Sequence, residues 1–163
     1  MKNLFILLFF PFFCFSQDFV IPKPNIEELE AELNSREFLS DEVYLYLIKN
    51  FDSIASKKDL KYYDYDSNSI CSFNQDFYKN INYFTDYQCN EEGGSSSILT
   101  LPKTDRKSLI IWVEQIFKIY PTDIDHSWNS EMTIFRPTDE GAGCYYEIIE
   151  NKTSTMVKIY CGC

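Results

Sequence analysis

Hydrophobic residues fall along this chain in three kinds of pattern: one unbroken run, stripes at helical spacing, and stretches that alternate with polar residues. The unbroken run comes first. Leu4 to Phe15 is continuously apolar behind Lys2, the only charged residue before Asp18. A membrane-spanning helix takes about 20 apolar residues, so this run is too short for one. Asp18 and Pro22-Lys23-Pro24 follow it and prevent extension. A basic residue, a short apolar run and small side chains at Cys14 and Ser16 make the pattern of a secretory signal peptide, residues 1–16, cleaved before Gln17. A lipid-modified Cys14 is the competing reading. It wants a small residue just before the cysteine, where Phe12 and Phe13 stand.

The helical stripes follow. Asn25 suits an N-cap, Glu28 sits three residues on, and Ile26, Leu29 and Leu33 share a face. Ser40-Asp41-Glu42 opens a second helix with acids at its positive end, and Val43, Tyr44, Leu47, Ile48 and Phe51 form its stripe. Residues 53–63 extend or follow it. The strongest stripe is Leu109, Val113, Ile116, Phe117 and Tyr120, begun by Thr104 or Asp105 and stopped by Pro121.

Alternation marks strands. Phe77 to Cys89 places Phe77, Ile81, Tyr83, Tyr87 and Cys89 on one side; Ser97–Leu101 and Glu131–Arg136 are shorter strands. Cys144–Glu150 and Thr155–Cys161 alternate on either side of an Asn151–Ser154 turn. Setting Glu150 opposite Thr155 pairs Ile148 with Val157, Glu147 with Lys158, Tyr146 with Ile159 and Cys144 with Cys161. One face is then apolar and the other carries an opposite-charge pair. The fold expected is α+β: N-terminal helices, then an antiparallel sheet packed against one long helix at about 105–120, with a C-terminal three-stranded meander. No internal repeat or linker divides residues 17–163, so a single domain is expected.

Cysteines change the picture once the leader is set aside. Five remain, at 71, 89, 144, 161 and 163. In an exported chain they should be oxidised. The strand register favours Cys144–Cys161, with Cys163 as competitor, and leaves Cys71–Cys89 as the second bond. Localisation is therefore expected to be secreted or periplasmic. The net charge of −10 argues against nucleic acid, whose phosphates need clustered Lys and Arg. It also argues against an anionic membrane surface, and no membrane span is expected after cleavage.

Candidate chemistry is sparse. Asp64, Asp66 and Asn68 match the first half of a calcium loop, but Ser69 stands where glycine is needed and Gln75 where a bidentate Glu is needed. His126 follows Asp125, a possible base and its orienting acid, with no marked nucleophile. Glu91 and Glu92 lie together beside Gly93-Gly94. Lys103, Arg106 and Lys107 crowd a helix start, which is the unfavourable end for cations. The excess lies in aromatic residues, and Tyr62, Tyr63, Tyr65, Tyr78 and Tyr145 fall at positions expected to face outward. Tyrosine is favoured at interfaces because it buries much area at low entropy cost. The function expected is a non-catalytic binding module of the envelope or extracellular space, needing no cofactor and engaging a protein or glycan. A small hydrolase using His126 and Asp125, and a calcium-stabilised structural domain, are the alternatives.

Overall fold

A computed structural model describes residues 18–34, 41–89, 94–119, 124–139 and 141–162. The chain runs α1 (Ile26–Asn34), α2 (Glu42–Asn50), β1 (Lys58–Tyr63), β2 (Asp66–Phe77), β3 (Ile81–Asp86), β4 (Ser95–Pro102), α3 (Arg106–Phe117), β5 (His126–Trp128), β6 (Ile134–Pro137), β7 (Gly143–Glu150) and β8 (Ser154–Gly162). The α+β class and the antiparallel sheet are as expected. The proportions are not. Eight strands in one sheet dominate, and the helices are short, of nine, nine and twelve residues. The expected arrangement of N-terminal helices and one long helix is corrected accordingly.

Strand order is β1-β2-β3-β4-β8-β7-β6-β5, and every neighbouring pair is antiparallel. Two four-stranded meanders, each preceded by a helix, thus meet along their last strands, β4 and β8. This symmetry of order leaves no trace as a sequence repeat. The C-terminal register is as expected at every rung, from Glu150 opposite Thr155 to Cys144 opposite Cys161. Two disulfides close, Cys71–Cys89 and Cys144–Cys161. Cys163 lies outside the described residues.

The stretch 53–63 is not a helical extension. Phe51 caps α2 in an extended conformation, and 58–63 forms edge strand β1. A two-residue turn at Asp64-Tyr65 folds β1 onto β2, whose partners shift at three successive steps.

Alternate residues of the central strands face a single core. Phe73, Phe77, Ile81, Tyr83, Leu99, Leu101, Val157, Ile159, Tyr146 and Ile148 join Val43, Leu47, Leu109, Trp112 and Ile116 from the helices. The intervening residues, among them Phe84, Ile98, Thr100, Met156 and Lys158, stay partly or fully exposed. A sheet with one buried and one wet face reads this way. α2 and α3 each have an acid cap: Asp41 accepts from the Tyr44 N–H at 3.0 Å, and Asp105 from the Ser108 N–H at 2.7 Å. The capping oxygen satisfies an amide that has no partner within the helix. Trp112, absent from the stripe read in sequence, is fully buried in α3, its ring edge-on to Tyr46 at 5.6 Å. Tyr120 lies outside the described residues.

Candidate functional site

The hairpin of β1 and β2 concentrates exposed apolar area at one edge of the sheet. Leu60, Tyr62, Tyr65 and Ile70 are 39%, 45%, 63% and 36% exposed, and Tyr62 pairs across the hairpin with Ile70. Tyr63 and Tyr65 stack with ring centroids 4.9 Å apart. The other two tyrosines singled out in sequence lie elsewhere. Tyr78 follows the far end of β2, about 35–40 Å from the hairpin turn at the usual strand rise. Tyr145 sits on β7, five strands away, or about 24 Å at ordinary strand spacing. Its ring lies 6.5 Å from that of Tyr160, and its hydroxyl donates to the Gly141 carbonyl. The structure therefore brings together Tyr62, Tyr63 and Tyr65 and separates Tyr78 and Tyr145 from them.

The remaining candidates fall into ordinary backbone structure. Asp64 occupies the hairpin turn. Asp66 opens β2 and accepts from the Asn68 N–H at 3.0 Å and from the Ser69 hydroxyl. Those bonds hold its carboxylate below the usual range. Gln75 is buried in β2 and donates to the Ala55 carbonyl. Residues 64–75 are thus mostly strand, a shape that does not wrap a cation. Among the described residues no cluster of three or more His, Cys, Asp or Glu side chains could hold a metal. His126, in edge strand β5, places Nδ1 2.8 Å from the Ile124 carbonyl and Nε2 3.1 Å from the Cys144 carbonyl. Its ring packs on Phe117 at 4.0 Å. Asp125 meets Thr138 through its backbone carbonyl, and the structure does not join its carboxylate to the His126 ring by a hydrogen bond. Arg106 and Lys103 meet Glu150, at 3.1 and 4.0 Å. Glu91 and Glu92 lie outside the described residues.

One cluster escaped the sequence reading. Asp41, at the start of α2, accepts hydrogen bonds from the Tyr83 hydroxyl and from its capping amide, and Tyr87 stands close enough to feel its charge. The Tyr83 hydroxyl also lies 3.0 Å from Ser97 Oγ, which is 2.8 Å from Thr85 Oγ1. Glu42 adjoins Asp41, and its charge is felt by Tyr87 and Tyr146. Burial first, and then the neighbouring Asp41 charge, push the Glu42 carboxyl up to about 8. Burial raises Asp41 too, against the pull of its hydrogen bonds. Tyr83, Tyr87 and Tyr146 are all held well above the usual phenol range by burial and by these carboxylates. The one local signal was the acid pair at a helix start. Its tyrosine partners lie 42 or more residues away, beyond the reach of any spacing rule.

No protein-family model, no curated protein and no solved structure matches this chain. No helix among the described residues is long and apolar enough to cross a membrane.

Proposed function

We propose that this chain is an exported, non-catalytic binding module whose contact element is the β1–β2 hairpin and whose partner is a protein of the cell envelope or extracellular space. The observation that carries this is the cluster of exposed Leu60, Tyr62, Tyr65 and Ile70 at the sheet edge. Large aromatic and aliphatic side chains on one exposed element are the composition of a protein interface. The aliphatic pair favours a protein over a glycan, since sugars stack on rings. Recognition runs through side chains rather than strand addition, because the successive register shifts make β1 a poor template for another strand. Lys58 reaches Asp76 on β2 and Lys61 reaches across to Asp86 on β3, and both keep charge along this edge. Export is supported by the leader pattern and by two disulfides, which persist in oxidising compartments.

The test is affinity capture from envelope and secreted fractions of the producing cell, with wild type, a Tyr62→Ser/Tyr65→Ser variant and a Tyr78→Ser variant. The proposal expects a defined protein retained by wild type and Tyr78→Ser and lost by the hairpin variant. Identical capture by all three, or capture that glycan removal abolishes, would refute it.

A further inference from the structure

We propose that the open face of the sheet carries a second site, separate from the hairpin: the Tyr145–Tyr160 pair, bordered by Ser96, Asp86, Glu147 and Lys158, holds an uncharged glycan. On β7 and β8 the side chains of Tyr146, Ile148, Val157 and Ile159 face the core, so Tyr145, Glu147, Lys158 and Tyr160 face away from the helices. Tyr145 and Tyr160 are direct cross-strand partners, and their rings form an open V, with centroids 6.5 Å apart and planes at 49°. Each ring is held in place. The Tyr145 hydroxyl donates to the Gly141 carbonyl at 2.7 Å. Tyr160 leans along its strand over Gly162, where a Cβ would stand 2.8 Å from its hydroxyl oxygen and 3.1 Å from Cζ. The bare backbone at 162 admits the phenol there, and Tyr160 stays 43% exposed. Rings fixed before binding lose little freedom when a ligand arrives.

The border supplies what a sugar needs beyond stacking. An aromatic face is electron-rich and attracts the polarised C–H face of a pyranose, whose hydroxyls then need donors and acceptors. Register sets exposed Ser96 opposite Tyr160 and Asp86 opposite Ser96, so Asp86, Ser96, Tyr160 and Tyr145 form one row over four adjacent strands. At ordinary strand spacing that row is about 14 Å long, room for more than a single sugar ring. A carboxylate accepts from about four donors, so Asp86 keeps capacity beyond the Gln88 N–H at 2.9 Å and Lys61 at 3.9 Å. Lys158 and Glu147, each about half exposed and 3.8 Å apart, flank the rings two residues along the same strands. The hairpin differs, since its rings stand among exposed aliphatic side chains. The net charge of −10 repels polyanionic glycans and favours an uncharged one.

The experiment is an amide NMR titration of the disulfide-intact protein with cellohexaose and with chitohexaose, both uncharged and β-linked, and with hexagalacturonate as the polyanionic control. Either neutral sugar should shift the amides of Ser96, Tyr145 and Tyr160 and leave those of Tyr62 and Tyr65 in place. Tyr160→Ala should weaken that binding about tenfold, and Tyr160→Phe, which keeps the ring, should stay within about twofold of wild type. The titration of the unaltered protein reads the site whether or not a variant folds. No shift with either neutral sugar at about 10 mM, shifts only outside this row, an equal response to hexagalacturonate, or a Tyr160→Ala variant that binds as wild type does would each overturn the proposal. The ligand is a free oligosaccharide and the hairpin is untouched, so the protein-partner reading stands or falls separately.

Discussion

Single residues carry the junctions of this fold, and two of them meet at one place. Gly143 opens β7 with φ of +153°, a conformation that side-chain-bearing residues rarely adopt. A Cβ there would lie 2.8 Å from Pro137 Cγ and 3.5 Å from His126 Nε2. Gly143→Ala should therefore cost about 1–3 kcal/mol, read as a lower denaturant midpoint with an unchanged slope. His126 explains why that spot is crowded. Its ring lies between the carbonyls of Ile124, before β5, and Cys144, in β7, and packs at a tilt on Phe117. His126→Phe keeps an aromatic ring and removes the N–H that the imidazole offers to these carbonyls, so a loss of about 1 kcal/mol is expected in denaturant unfolding. A sole histidine beside an aspartate read as possible catalysis in sequence. What spacing omitted was the direction of the ring, which chain neighbours do not set.

At the scale of elements, the two disulfides brace the same end of the sheet from different strands. Cys71–Cys89 and Cys144–Cys161 close spans of 18 and 17 residues. Loops of that size are worth about 3 kcal/mol each in the chain-entropy account. Replacing either pair by alanines should lower stability by roughly that amount, measurable by thermal or denaturant unfolding. The β7–β8 pairing was legible because a short turn fixes the register and each rung can be checked against its neighbour: apolar with apolar, Glu147 with Lys158, cysteine with cysteine. β1 and the first half of β2 were not legible. Residues 58–70 are nearly all exposed on both faces, so alternation has nothing to report there. Edge position, not propensity, defines that strand. For the same reason the one feature of functional interest, the clustering of Tyr62, Tyr63 and Tyr65 on a hairpin apart from Tyr78 and Tyr145, needed the pairing before it could be seen. The Asp41–Tyr83–Ser97 contacts likewise exist only after α2, β3 and β4 have met.

For the whole molecule, three short helices cover one face of an eight-stranded sheet, and the hairpin at one end presents the densest exposed aromatic surface that the structure describes. The raised Glu42 carboxyl at the start of α2 should give the assembly a pH dependence of its own. Between about pH 5 and 8, global stability should decline with rising pH wherever the Glu42 proton dominates the linkage, and Glu42→Gln should flatten that decline in a thermal-melt series. Carboxylates held low, such as Asp66 and Asp76, act in the opposite sense: their stabilisation is lost as pH falls through their depressed values. The maximum should therefore lie in mild acid.

The most direct test of the central proposal is site-specific photo-crosslinking of the protein in its native host. A photoreactive phenylalanine analogue would be placed in turn at Tyr65, Tyr78 and Tyr145. The hairpin account predicts a discrete protein adduct from position 65 that positions 78 and 145 do not give. Adducts at 78 or 145 with none at 65, or none at any position in a protein shown to be exported and oxidised, would contradict it.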